Sequence, residues 1–306
     1  MIKVSIIGAD HPMAGELARI LIHHPETEIK SLFARELNGR SVSSVHHGFI
    51  GESPLIFSDK INAVDSDIFI IINDEDLGEE ERNLIENLEN IKIISLPSKD
   101  FSVESTANYE TGISEINRKT LVRNAKKVLI PHGSIVTTLV ALMPLAKFLL
   151  LNSDLDIEIS LPADLIKDVN TTEAVKYIKN KLQATQSSFS GEIKLRLTPD
   201  SLSERGSKTK IEFKSKLPLE EVERIFEEIY DDHNFSFLSR NPSDTKEVEG
   251  TQKIILNFSK PDEETLRVEA VADARMRGGA GDIVHVMNLL FGLYEKTGLN
   301  LKPSHW

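Results

Sequence analysis

The stretch Ile130-Pro131-His132-Gly133-Ser134 closes a short β-rich run at 127–130 and opens an apolar segment that continues to Lys147. A strand–turn–helix junction sets its turn residues against a helix N-terminus, where free N–H groups and partial positive charge favour a developing anion. The side chains there with nucleophilic or acid/base capacity are Ser134 and His132. A serine hydroxyl needs a dedicated base, and residues this close in sequence do not normally share a helix face. The plainer expectation is that Ser134 serves as the helix N-cap. The chain has no cysteine, so it has no disulfide, no thiolate metal site and no cysteine nucleophile. No metal site is expected.

A second group of candidates follows the first β-rich run. In "GADHPMAG", Gly8, His11 and Ala14 stand where a dinucleotide fold needs close backbone approach to a pyrophosphate. His11 either contacts phosphate itself or fills the space a dinucleotide would need. Arg35, just past the second run, is placed to meet an adenosine 2′-phosphate, although Glu36 beside it weakens that role. The loop "NDEDLGEEE" puts carboxylates at Asp74, Glu75, Asp76, Glu79, Glu80 and Glu81. The last three suit a helix start. Asp74 and Glu75 are expected nearer the cleft, where one carboxylate ~6 Å from a phosphate charge costs about 3 kcal/mol at an effective dielectric near 20. Arg205 and Arg277, each followed by glycine, are anion-binding candidates whose structural alternative is a surface or interdomain salt bridge. Gly281, in "RGGAGD", is a cofactor-side candidate.

The elements that must position these residues follow from periodicity. Runs at 2–7, 28–33, 67–72, 91–96 and 127–130 alternate with helix-like segments at 13–23, 79–89 and 114–125, which implies a doubly wound, mostly parallel sheet. From about residue 154 the texture changes to strand-like runs at 154–161, 191–197, 207–215, 251–259 and 264–272, an antiparallel or mixed sheet. Helices are expected near 172–184 and 218–231, the second with Pro218 in its first turn. Residues 239–250 read as a loop, and a final helix follows 277–282. The fold class is therefore α/β, a Rossmann-type domain with a second α+β domain.

The 306 residues suffice for two domains, and 40% hydrophobic with 27% charged residues describes a globular chain. A net charge of −12 leaves no basic stripe for nucleic acid and disfavours an anionic membrane surface. The apolar stretch 135–151 carries Thr137, Thr138, Pro144 and Lys147, so it reads as a buried helix rather than a membrane span. "MIKVSIIGAD" enters the fold as a strand, and a cytoplasmic setting is expected.

Four stretches together resemble N-acyl-γ-glutamyl-phosphate reductases, arginine-pathway relatives of aspartate-semialdehyde dehydrogenase. They are "MIKVSIIGADHPMAGELARILIHHP", "GISEINRKTL", the 130–147 junction and "GGAGDIVHVMNLLFGLYEKTGLNLKPS". The resemblance implies a Rossmann domain of residues 1–130 and 283–306 and an α+β dimerisation or catalytic-like domain of residues 131–282. It also implies reduction of an acyl phosphate to a semialdehyde with NADPH, through a cysteine thioester and a histidine acid/base.

Against that pattern, the nucleophilic cysteine of the family's N-P-G-C turn is Gly133, and His11 stands at its middle glycine. The segment "LPADLIKDVNTTEAVKYIKNKLQ" (161–183) lacks the family's histidine and Gly-rich loop. The arginine after the family's D-F pair is Ser102, and the family's K-G-A-x-G-Q ends in Asp282. The reading is a divergent, catalytically inactive paralogue that binds NADP weakly or not at all. It would be a structural or regulatory partner, forming a homo-oligomer or a hetero-oligomer with an active reductase. The alternatives are altered chemistry centred on His132, Ser134 and Arg205, or a small-molecule sensor using the remodelled cleft.

Overall fold

Short Ile/Val-rich runs separated by helices build a six-stranded parallel sheet in the computed structural model, which describes residues 1–61, 63–75, 77–88, 90–97, 101–200 and 203–303. In chain order the first half runs β1 (Ile2–Ile7), α1 (Pro12–Leu21), β2 (Thr27–Phe33), β3 (Ile68–Ile71), α2 (Glu79–Glu86), β4 (Lys92–Ser95), β5 (Glu110–Thr111), α3 (Ser114–Arg123) and β6 (Lys127–Leu129). The strand order is β2-β1-β3-β4-β6-β5. A parallel sheet must bury both faces. Val4, Ile6, Ile68, Ile70, Ile94 and Val128 form one, under α1. Ile7, Phe69, Ile71 and Ile93 form the other, with Ile85 of α2 against them.

The junction helix α4 (Gly133–Lys147) leads into the second half. There follow β7 (Leu155–Leu161), α5 (Ala163–Ile166), α6 (Thr171–Thr185), β8 (Ile193–Pro199), β9 (Gly206–Lys214), α7 (Leu219–Tyr230), β10 (Ser236–Leu238), β11 (Ile254–Asp262), β12 (Thr265–Asp273) and α8 (Ala280–Leu290). These strands form a second sheet in the order β10-β11-β12-β9-β7-β8. Strict alternation of buried and half-exposed residues along β7 turns one face toward α4, α6 and α7, where the larger apolar core sits. Every residue of α4 from Gly133 to Ala146 is buried, which explains an apolar segment with no polar face. Among the described residues no helix is long and apolar enough to cross a membrane.

Of the two pairings expected for the second sheet, antiparallel or mixed, the sheet is mixed: β7–β8 and β10–β11 pair in parallel, because α6 and the 239–253 connection carry the chain back to the same end. Three expectations need correction. Pro218 is the N-cap of α7 rather than a residue of its first turn. The 239–250 loop contains a short 3₁₀ turn at Thr245–Glu247. The final helix begins inside "RGGAGD", at Ala280, and packs on α1 and α3, carrying the chain's end back to the first sheet.

Candidate functional site

At the junction, the N-cap of α4 is His132, not Ser134. Its Nδ1 accepts the Ser134 N–H at 3.2 Å and lies 3.0 Å from the Ser134 hydroxyl. The two side chains thus do meet. The cap turns the histidine back over the first helical residues, which simple helix-face counting misses. Burial drives the His132 imidazole down to about 4, against a smaller upward pull from a hydrogen bond to the Leu165 backbone. The ring is a neutral acceptor at pH 7. Ser134 is 1% exposed, so its hydroxyl is shielded from any substrate carbonyl.

Gly133 occupies the first turn of α4, packed against the backbone at Ala274 and Arg277. A Cβ built there would stand 2.6 Å from the Arg277 carbonyl oxygen. Gly278, with φ +72, is the counterpart, since a Cβ on it would overlap the Gly133 backbone. Two backbones are therefore pressed together where a nucleophile's side chain would need room.

The His132 cap carries a pH prediction. Its folded-state pKa of about 4 lies below the ordinary value of 6.5, so the fold favours the neutral ring. That contribution is complete above pH 6.5 and fades as pH falls from 6.5 toward 4, by up to about 3 kcal/mol. Urea unfolding of His132→Asn, which keeps a capping side chain, is expected to show a flatter stability profile across that window. An unchanged slope would place the titrating group elsewhere.

At the first βα turn, Gly8 has φ +73 and lies so close to Asn73 that a Cβ would come within 2.6 Å of its backbone. Ala14 is buried in the α1 core, as helix–sheet packing requires. His11 is the N-cap of α1, with Nδ1 accepting the Met13 N–H at 3.2 Å. The imidazole thereby takes one of the helix N–H groups that would otherwise meet a phosphate. Burial lowers its pKa, opposed by Asp168 and Asp10.

Arg35 is held by Glu81 at 2.6 Å, a partner from the first turn of α2 rather than the neighbouring Glu36. Asp74 is paired with Arg82 at 2.6 Å, which corrects the expected repulsive charge at that strand end. Glu75 accepts a hydrogen bond from Asn73. Asp76 and the Lys99-Asp100 half of "KDFS" lie outside the described residues. Ser102 is engaged in a local turn with Ser105.

Arg277 is 0% exposed and pairs with Glu115 at 2.8 Å, with Asp282 at 3.4 Å on its other side. This corrects its reading as an anion site, because solvent ions do not reach it. Burial alone would raise Glu115, but Arg277, His233 and the Ser236 hydroxyl outweigh it and hold that carboxyl at about 2. Burial instead dominates at Asp282 and raises it. Arg205 spans the domains, with Nε 2.8 Å from Asp273 and Nη2 2.9 Å from Glu16 on α1. Gly281 leaves space for the Gln252 side chain, which donates to Asp282.

Sequence reasoning missed His46, whose Nε2 donates to the Ala9 carbonyl at 2.7 Å and whose ring lies over Gly15. It also missed Glu16, Glu115 and Gln252. The charges of Glu16 and Glu115 lie within two of the quoted marker stretches and offered a signal. The isolated His46 and Gln252 did not, since their partners are far away in sequence.

A parallel Rossmann-type sheet, a mixed second sheet and a helix starting at their junction define the two-domain semialdehyde-dehydrogenase fold. Solved structures agree on that fold. Aspartate semialdehyde dehydrogenase II from Vibrio cholerae superposes with TM-score 0.68 at 13% identity, covering 96% of this chain and 99% of that one. A probable aspartate-semialdehyde dehydrogenase from Pseudomonas aeruginosa gives TM-score 0.69 at 14% identity over 95% and 98%. No family model matches the chain. Curated relatives nevertheless align end to end. N-acetyl-gamma-glutamyl-phosphate reductase of Parabacteroides distasonis is 32% identical over 326 residues, 99% of each chain. The protein of that name from Christiangramia forsetii is 31% identical over 332 residues, all of each chain. The chain belongs to the N-acetyl-gamma-glutamyl-phosphate reductase family.

Proposed function

We propose that this chain is a catalytically silent member of its family, acting in the cytoplasm as a structural or regulatory partner in arginine biosynthesis. The observation that carries this reading is Gly133 pressed against the Arg277 carbonyl, which removes both the thiol and the room for one. Residues 1–130 and 283–306 would be the remnant of a cofactor domain, and 131–282 the assembly domain. The residues at the first turn do not fit a dinucleotide well: His11 caps the helix a pyrophosphate would approach, and Arg35 is tied to Glu81. Calorimetry with NADP⁺, NADPH and NAD⁺ at low salt is expected to detect weak binding or none. Low-micromolar binding of any of them would promote the enzyme alternative. His11→Gly is expected to recover part of the lost affinity. If it does not, the imidazole is not the obstacle.

Assembly through the second sheet is the accompanying expectation, as a dimer or tetramer of this chain or as a mixed oligomer with an active reductase. The sheet face turned away from the helices carries cross-strand pairs such as Lys210–Glu158 at 2.9 Å and Arg267–Glu212 at 2.7 Å. These pairs leave that face partly neutralised. Light scattering is expected to give at least a dimer at micromolar concentration, and a monomer alone and with an active reductase would remove this part of the reading.

The 3.0 Å Ser134–His132 contact favours a second reading, an altered chemistry at that pair with Arg205. The burial of Ser134 and the engagement of Arg205 with Glu16 and Asp273 weigh against it.

A further inference from the structure

The chain leaves α4 through a turn that its residues do not suit. The Leu149 N–H donates to the Ala146 carbonyl and the Leu150 N–H to the Leu145 carbonyl, each at 3.0 Å. This paired closure of a helix C-terminus calls for a left-handed residue at position 149. Glycine meets that need freely, because a Cβ in this conformation crowds the following carbonyl oxygen. Here the residue is leucine at φ +59, the one non-glycine residue of positive φ among those described. Little of its side chain is covered in return, since Leu149 is 59% exposed and Phe148 before it 38%.

Leu150, next along the chain, lines an open groove of about 770 Å³, and Leu217 and Pro218, just ahead of α7, continue its apolar wall. Lys214, Lys216, Glu221 and Glu264 supply its charged lining, with Glu264 3.8 Å from each lysine. A projecting apolar pair therefore stands beside an apolar groove, and two cations balance two anions around it.

We propose that this groove is an interface with a second copy of the chain, related by a two-fold axis. A patch on such an axis must complement itself. Phe148 and Leu149 of each protomer enter the groove of the other, and the lysines of one rim face the glutamates of the other. A partner of a single charge sign would be repelled by half of the rim, whereas a turned copy matches it. Burial of the two apolar side chains offsets the backbone strain at Leu149. The groove lies at the end of α4 and the start of α7, so the proposal stands apart from the outer-face association and from the silent-reductase reading.

Sedimentation velocity on the full chain is expected to show reversible self-association at micromolar concentration. Leu149→Gly removes the projecting side chain and the strained Cβ together. It is expected to weaken the association at least tenfold, while the dilute, dissociated chain melts no lower than wild type by circular dichroism. Glu221→Lys, at an exposed rim position, sets three cations against one anion and is expected to weaken the association at least tenfold as well. If the outer sheet face also pairs, wild type is a tetramer and both variants stop at a dimer. If it does not, wild type is a dimer and both variants are monomers. A wild-type chain that stays monomeric, an assembly unmoved by either substitution, or a Leu149→Gly chain that melts lower overturns the assignment.

Discussion

Incubated with N-acetyl-γ-glutamyl phosphate and NADPH, the purified protein is expected to form no semialdehyde above a no-enzyme control. Losing one member of a nucleophile–base unit costs about four to six powers of ten in rate, and losing the second adds little. Here the nucleophile position is Gly133, and His132, the histidine next to it, is a neutral helix cap with a pKa of about 4. Gly133→Cys is likewise expected to restore no turnover. Its Cβ would meet the Arg277 carbonyl at 2.6 Å, so the 274–278 backbone must move. Overpacking of this kind costs about 1–3 kcal/mol, so the variant is expected to be less stable as well as inactive. Cofactor-dependent semialdehyde formation by either protein would overturn the silent-member reading outright.

Arg277→Met is expected to destabilise the fold by about 3–5 kcal/mol, because removing one partner of a buried ion cluster strands the others. Arg277 is fully buried between Glu115 on α3 and Asp282 on α8, and Ser236 on β10 completes the cluster by donating to Glu115 at 2.7 Å. Without the guanidinium, Glu115 loses the cation that keeps it ionised in a dry interior. Urea unfolding monitored by circular dichroism would measure the loss. Adding Glu115→Gln and Asp282→Asn to the same chain is expected to recover much of it, since neutral amides no longer need a counter-charge. A single-variant loss under about 1 kcal/mol would mean that water reaches the cluster and screens it.

Much of the architecture was legible in the sequence. The runs at 2–7, 28–33, 67–72, 91–96 and 127–130 became parallel strands because each is a short segment rich in β-branched and other apolar residues, separated from the next by a helix-like or turn segment. The junction at 130–134 was legible as a strand–turn–helix for the same local reason. The two-residue β5 and three-residue β10 were not, since so few residues show no periodicity.

The sequence by itself determined the two-domain α/β plan, the absence of thiol chemistry and the glycine at position 133, because these depend on residue identity and short-range pattern. Only the tertiary structure decided what the candidate side chains do. Arg205 and Arg277 left an anion site and a salt bridge both open, and Arg35 read as a phosphate contact, yet each meets a carboxylate 189, 162 or 46 positions away. His132 became the cap and Ser134 its donor through a turn of the backbone that residue spacing does not encode. Gly133 changed from a missing nucleophile to a close-packing contact once Arg277 was beside it. Charge pairing and steric exclusion act over a few ångströms of space between residues far apart in the chain, so they were settled by the tertiary packing.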